Sequence, residues 1–350
     1  MKRWMAATAA VLAGALGLTA PGTARAAAAT GWVRIFQSPG SGFFGSIAAL
    51  GKSNVWAAGE EFTPGGSTVY KPFIRHFNGS AWTPVTIPGA AMTSDRVQAT
   101  SGRDVWVFGL TKNQENIAAS AAYRWDGAHW HKIPLAAYTY LQGTVVLGPS
   151  SVWAFGSSGT MAGDVFHWNG RTWKSYNLNF IPQNMSASSV SNLWLTGMTW
   201  VNKKTEVAKA YRWDGRRWLG VATPHPAVTS GPSVTALSPS NVWMGWETGP
   251  KVQAAHWNGH TWTVLTAPGN VVADSYDIVP DGRGGYWFGA FADWTGTTWT
   301  GTFDVSPSFS RGGFNDIARI PGTLTFLMPA GIANSASSVQ NPTIYRLTLS

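Results

Sequence analysis

The chain has 350 residues, no cysteine, 21 tryptophans and 12% charged residues, about half the usual quarter. Without cysteine it has no disulfides, thiolate metal sites or cysteine nucleophiles. The formal charge of +9 comes from lysines and arginines spread along the chain, whereas nucleic-acid binders concentrate them, so nucleic acid is not an expected partner.

The N-terminal segment, residues 1–26, has the features of a secretory signal peptide. Two basic residues precede an apolar stretch from Met5 to Leu18, and Ala24–Ala26 has the A-x-A cleavage pattern. The apolar stretch is shorter than the roughly 20 residues that cross a membrane, and no later stretch approaches that length. We therefore expect a secreted, extracellular protein with no membrane span, whose single domain occupies residues 27–350.

The rest of the chain repeats a unit of roughly 40–50 residues built around two tryptophan elements. The first is an apolar or aromatic residue, then Trp, then Gly within three residues; its tryptophans are Trp56, Trp106, Trp153, Trp194, Trp243 and Trp287. The second is Asn-Gly or Asp-Gly, two further residues and Trp; its tryptophans are Trp82, Trp130, Trp173, Trp218 and Trp262. We predict that these tryptophans pack between stacked sheets, because large flat rings fill such spaces.

Each unit divides into four short antiparallel strands, because Asn-Gly and Asp-Gly between apolar segments indicate hairpins. In the fifth unit the strands are Ser233–Leu237, Val242–Glu247, one that ends at Trp257, and Thr261–Thr266. Four strands per unit predict an all-β fold, a β-propeller of seven four-stranded blades. Residues 31–37 complete the last blade and close the ring. The blade repeats start near residues 46, 96, 143, 188, 233, 275 and 314.

The sixth unit leaves two interpretations open. Trp294-Thr295-Gly296-x-x-Trp299 is either the hairpin element in shortened form or a loop before a third strand at Thr300–Val305.

A basic residue recurs in the third strand of the first five units. Since Arg replaces His freely at this position, we predict a structural role and no metal site. The cation would stack on a neighbouring Trp or bond a backbone carbonyl. No cofactor is expected either. The residues at this position are His76, Arg124, His167, Arg212 and His256.

The candidate ligand site lies at one end of the propeller. The connections between the second and third strands and between units are long and variable, as in 177–187 and 196–206, whereas the other turns are short and repetitive. Variable loops on a rigid scaffold commonly carry function, so we expect ligands there or at the channel mouth. The candidate residues are Glu60, Glu61, Tyr70, Trp200, Lys203, Lys204, Trp246 and Glu247 in loops, with Tyr276 and Asp277 in the sixth inner strand.

The repeat resembles that of the kelch and galactose-oxidase-like group of propellers, and more closely that of secreted bacterial proteins with Asp-Val-Trp-x-x-Gly and Trp-Asn-Gly-x-x-Trp repeats. The resemblance covers about residues 32–350 but lacks the Gly-Gly pair of kelch repeats. Galactose oxidase chemistry needs a Cys-crosslinked Tyr beside copper, which a chain without cysteine cannot form. The architecture is also similar to that of seven-bladed bacterial lectins, which bind fucose between Trp-rich blades.

These features favour a monomeric, non-catalytic binding module for an extracellular glycan or cell-wall polymer. No catalytic constellation is recognisable among the 16 acidic residues. The alternatives are a scaffold that binds an extracellular protein, and a glycan-active hydrolase or lyase at the channel mouth. Equivalent pockets between successive blades would favour the binding module. A single acidic pocket at the channel mouth would favour the enzyme, and a broad apolar face the protein scaffold.

Overall fold

The structure is a computed structural model, and its description covers most of the chain after residue 30. The described residues are 31–63, 67–112, 118–136, 139–157, 163–202, 205–224, 232–248, 251–266, 278–288, 292–296, 298–300, 316–333 and 340–349. They form strands and turns, and among them no helix is long and apolar enough to cross a membrane.

The described strands make seven four-stranded antiparallel sheets, numbered here I–VII. Sheet I contains β2 (Ser41–Gly51), β3 (Asn54–Phe62), β4 (Phe73–Phe77) and β5 (Trp82–Val85). Sheet II contains β6 (Arg96–Ser101), β7 (Asp104–Lys112), β8 (Ala118–Trp125) and β9 (Trp130–Ile133). Sheet III contains β10 (Tyr140–Gly148), β11 (Ser151–Ser157), β12 (Asp164–Trp168) and β13 (Trp173–Asn177). Sheet IV contains β14 (Ile181–Ser189), β15 (Asn192–Asn202), β16 (Thr205–Trp213) and β17 (Trp218–Val221).

The remaining sheets follow the same order, except at the chain ends. Sheet V contains β18 (Ser233–Ser238), β19 (Asn241–Thr248), β20 (Lys251–Trp257) and β21 (Trp262–Thr266). Sheet VI contains β22 (Ile278–Pro280), β23 (Tyr286–Phe288), β24 (Ala292–Trp294) and β25 (Trp299–Thr300). Sheet VII contains β26 (Ala318–Arg319), β27 (Thr325–Ala333), β28 (Gln340–Thr348) and, paired with β28, the N-terminal strand β1 (Val33–Gln37).

The first strand of each sheet contacts the first strand of the next, and β26 of sheet VII contacts β2 of sheet I. Side chains link some of these strands. The Asn184 side chain accepts the N–H of Val234 at 3.0 Å. Two residues further along both strands, the Ser186 side chain accepts the N–H of Ala236 at 2.9 Å. Both partners of the second bond lie two residues later in the chain than those of the first, so β14 and β18 run parallel. The corresponding ends of these two sheets therefore lie on the same side.

The Asn-Gly and Asp-Gly elements form the turns between the third and fourth strands. The Asn78 side chain accepts the backbone N–H groups of Ser80 and Ala81, both at 3.0 Å, and Gly79 has a φ of 101°. In sheet VI, Trp294 pairs with Trp299 across such a turn. The structure therefore selects the shortened hairpin for the sixth unit.

Several segments that we expected to be loops are strands. The connection expected at 177–187 contains most of β14, and the one expected at 196–206 extends β15 and β16 as a hairpin in which Trp200 pairs with Glu206. The reason is that backbone pairing continues beyond the tryptophan elements, into polar sequence whose composition resembles that of a loop.

Candidate ligand-binding pockets

Two equivalent pockets lie between neighbouring sheets, each with a volume of about 490 Å³. Pocket A lies between sheets I and II and is lined by Trp56, Val85 and Trp125, among others. Pocket B lies between sheets V and VI, where Trp243, Leu265 and Trp294 occupy the same repeat positions. The repeat therefore builds the same aromatic pocket at two interfaces.

The wall of pocket A is formed by tilted and edge-on aromatic rings. The rings of Trp125 and Trp130 lie 5.6 Å apart, and Trp130 meets Trp56 edge-on at 6.3 Å. Trp56 is held in place by a hydrogen bond from its Nε1 to the Asn54 side chain at 2.9 Å. Flat aromatic surfaces of this kind bind the apolar faces of ligands that also carry polar groups.

Polar side chains without formal charge line much of pocket B. Asn241 accepts hydrogen bonds from the indole of Trp243 at 3.0 Å and contacts the His256 ring at 3.1 Å, and its amide donates to the Tyr286 hydroxyl at 3.0 Å. Burial lowers the pKa of His256, so the imidazole is neutral at neutral pH. Among the described lining residues of pocket B, including Thr263, no carboxylate, lysine or arginine occurs. The pocket is thus suited to an uncharged ligand with hydroxyl groups.

The side chain at one repeat position differs in size between these interfaces. Val85 and Leu265 each lie three residues after the second-element tryptophan of their unit. Tyr176 has the same position between sheets III and IV, and its ring lies 5.6 Å from both Trp153 and Trp213. The tyrosine therefore fills the space that valine and leucine leave open.

A third cavity, the inner cavity, has a volume of about 500 Å³ and lies at the other end of the sheets. It is lined by residues at the beginnings of β6, β10 and β14, and its charged residues are Asp95 and Arg96. This is the end at which we expected ligands to bind.

Two carboxyl groups meet beside the inner cavity. Glu60, at the end of β3, is hydrogen-bonded to Asp95, which also accepts a hydrogen bond from the Thr93 hydroxyl. Burial, together with the neighbouring Asp95, raises the pKa of Glu60 to about 7, so the pair retains a proton up to nearly neutral pH. Carboxyls in direct contact do not match the roughly 5–9.5 Å separation with which paired carboxylates cleave glycosides.

No protein-family model matches the chain, and no curated protein matches it. Solved structures do. "YCF48 bound to D1 peptide" is 16% identical, covers 91% of this chain and 95% of that chain, and has a TM-score of 0.59. YCF48 from Cyanidioschyzon merolae is 13% identical, covers 91% of this chain and 99% of that chain, with a TM-score of 0.58. A fungal lectin from Aleuria aurantia, a six-bladed β-propeller, is 12% identical, covers 85% of this chain and 89% of that chain, and has a TM-score of 0.40.

The fold is that of a β-propeller. At 16% identity or less these similarities concern the fold alone. The four-stranded sheets described above correspond to blades, and their first strands surround the propeller axis.

The propeller places the expected site residues in different environments. Glu60 and Glu61 lie within β3 and not in a loop, and Tyr70 lies half-buried in the connection that follows. Trp200 lies near the end of β15 and is 55% exposed. Only Glu60 of these residues meets another carboxyl group, that of Asp95, in the described part of the chain.

Trp246 requires a correction, because it belongs to β19 and is only 1% exposed. Its indole donates to the Gln253 side chain at 3.0 Å, so it packs inside the propeller instead of facing a ligand from a loop. Glu247 is also within β19. Four expected residues lie outside the described part of the chain; they are Lys203, Lys204, Tyr276 and Asp277.

Sequence reasoning missed the residues that shape pockets A and B. The signal for them was present: the third residue after the second-element tryptophan varies in size, from Val85 to Tyr176 to Leu265. Whether a small side chain at this position leaves a pocket depends on which residues of the neighbouring sheet face it, and the sequence of one unit does not show those residues.

Proposed function

We propose that this chain is a secreted, non-catalytic propeller that binds an extracellular glycan in pockets A and B. The propeller has seven blades, sheets I–VII, and β1 closes the ring. The contacts between successive first strands and the pairing of β1 with β28 support this blade count. The N-terminal signal-peptide pattern supports secretion.

The equivalence of the two pockets carries the proposal. A pocket that recurs at the same repeat positions, lined by Trp56 in one case and Trp243 in the other, provides two sites for a polymer of repeated sugar units. Each volume of about 490 Å³ falls within the roughly 300–1,000 Å³ typical of small-ligand sites. Two sites on one rigid body raise the overall affinity for a polymer well above that of either site.

Filling the pockets tests the proposal. Val85→Tyr and Leu265→Tyr introduce the side chain that Tyr176 already places at this position, so both variants should fold. Glycan arrays would identify the sugar class, and titration calorimetry with a short oligosaccharide would then count the sites. We expect each single variant to lose one of the sites counted in the original chain, and the double variant to lose two.

Val264→Tyr is the matched control, because Val264 is adjacent to Leu265 but 48% exposed and outside pocket B. It should leave both sites intact. Unchanged binding by the double variant, or absence of glycan binding by the original chain, would refute the proposal.

A specific observation also favours a second function, the binding of a protein partner. Trp200 and Val201 are 55% and 57% exposed near the end of the hairpin of β15 and β16. Exposed neighbouring apolar side chains are typical of protein contacts. Capture of a protein that depends on Trp200 but not on Val85 or Leu265 would support this function over glycan binding.

A further inference from the structure

Six exposed basic residues lie on turns at one end of the propeller. We call this end, which carries the turns between first and second strands and between third and fourth strands, the turn face. Gly79 of one such turn packs against Ser53 of another, so the two kinds of turn lie side by side. The exposed basic residues of the turn face are Lys52, Arg103, Arg171, Arg216, Arg217 and Arg283.

The acidic residues of the same end are engaged within the protein. Asp104 is buried and accepts a hydrogen bond from Arg124 at 2.7 Å. Asp281 is buried and accepts the backbone N–H groups of Arg283 and Gly285. Both carboxylates are buried, so neither is presented to a ligand at this face.

Two further carboxylates are held by the turns themselves. The backbone N–H of His129, with the His131 ring, holds the pKa of Asp126 well below its usual range. Asp214 accepts the backbone N–H groups of Arg216 and Arg217 at 2.8 and 2.9 Å. Among the described residues, no carboxylate forms an ion pair with Lys52, Arg171, or Arg216.

Three carboxyl groups lie toward the opposite end of the propeller. Glu60 lies near the end of β3 in sheet I. Asp95 and Asp316 lie just before β6 of sheet II and β26 of sheet VII. Burial raises the pKa of all three. A raised pKa favours the uncharged carboxyl, so these groups add little negative charge, and the turn face is distinguished by its exposed basic residues.

We propose that the turn face binds a carboxylate-bearing polysaccharide that runs across consecutive blades. This inference rests on the proposed glycan function and names the class of glycan. Arginine forms paired hydrogen bonds with carboxylate groups, and the basic residues stand on rigid turns that lose little entropy on binding. Pockets A and B open beside turns of this face, where His129 and Gly296 contribute to their rims, and would take uncharged sugar units of the same chain.

The experiment measures the binding of polygalacturonate, with neutral dextran as a reference polymer, at several salt concentrations. Arg171→Glu with Arg216→Glu changes adjacent blades of the turn face. Lys71→Glu with Lys209→Glu is the control of equal charge change, since both lysines are exposed but lie outside the turn face. We expect at least a ten-fold loss of affinity for polygalacturonate in the first variant and less than a two-fold loss in the control.

The outcomes separate this inference from the proposed function. Equal binding of dextran and polygalacturonate, or equal effects of the two charge variants, would overturn the inference and leave the pockets in place. If Arg171→Glu with Arg216→Glu lowers the affinity for polygalacturonate while Val85→Tyr and Leu265→Tyr do not, the result would support binding by the turn face and refute binding in pockets A and B. Tighter binding of single-stranded DNA than of polygalacturonate would assign the face to nucleic acid and overturn the inference.

Discussion

In the first two blades, a single polar residue organises the tryptophan element. Asn54, two positions before Trp56, accepts the indole N–H and also contacts the His76 ring at 3.0 Å. Asp104 does the same for Trp106 and for Arg124. In these two blades the basic residue of the third strand therefore bonds a side-chain oxygen and not a backbone carbonyl.

Where the basic residue of the third strand is histidine, its ring packs on the neighbouring Trp as expected. The rings of Trp153 and His167 are stacked with centroids 4.1 Å apart, and those of Trp56 and His76 lie 4.4 Å apart. Burial lowers the pKa of both histidines, so neutral rings do the stacking. In sheets I, II and V, Asn or Asp, Trp, and His or Arg thus act as one packed group.

Glu60 predicts a pH dependence of stability. Its pKa is about 7 in the folded protein, against about 4.3 for an unperturbed Glu, so the unfolded chain releases this proton first as pH rises. Its contribution to the unfolding free energy is complete below about pH 4.3 and is lost as pH rises through about 7. We expect Glu60→Gln to become more stable relative to the original protein over this interval.

Thermal unfolding of both proteins from about pH 4 to pH 8 measures the difference. The partly buried histidines, whose pKa values are lowered, lose stability toward acid pH, but they are common to both proteins and cancel. A difference that stays constant with pH would contradict the assignment of the raised pKa to Glu60.

At the scale of the element, the hairpin between third and fourth strands is the most regular feature. The Asn or Asp side chain binds two following amides, and the next residue is glycine with a φ of 94–103° wherever the turn is described. Sheet VI keeps this geometry with Thr295 in place of Asn, since the Thr298 amide donates to its hydroxyl at 3.2 Å. The turn depends on a side-chain acceptor and a glycine more than on a particular dipeptide.

Gly170→Ala tests this requirement. Gly170 has a φ of 96°, and a Cβ there would lie 3.0 Å from the Cβ of Ser150. We expect a loss of roughly 1–2 kcal/mol in unfolding free energy from the left-handed backbone, measured by chemical denaturation. Adding Ser150→Gly removes the close contact but not the backbone cost, so most of the loss should persist. A neutral Gly170→Ala would contradict the argument.

At the scale of the whole molecule, the two chain ends meet in one sheet. Val33 pairs with Arg346 and Gln37 with Thr343. Phe36 also packs against Phe44 of sheet I, with ring centroids 6.2 Å apart. The N-terminal strand therefore covers the edge of β28 and contacts the first sheet.

Removal of β1 tests ring closure. A chain that begins at Ser41 leaves the edge of β28 unpaired, and unpaired edges promote association. We expect a lower melting temperature and self-association by light scattering, whereas a chain that begins at Gly31 should remain monomeric. A truncated chain that is monomeric with an unchanged melting temperature would argue against closure by β1.

The sequence by itself determined the features that depend on neighbouring residues in the chain. Hairpin signals, apolar strands and regularly spaced tryptophans each act over a few residues, and together they indicated four-stranded units and the fold class. The extents of strands such as β14 and β15 were harder to predict, because their ends depend on pairing with a partner strand and not on composition.

Only the tertiary structure decided which distant residues act together. Trp125 completes a pocket begun by Val85 because it belongs to the next sheet, and Arg171 and Arg216 share one face because corresponding turns of successive sheets lie on the same side. In the sequence these charges appear scattered. Pockets and surface charge arise from contacts between units, so the physical interactions that create them are absent from any single repeat.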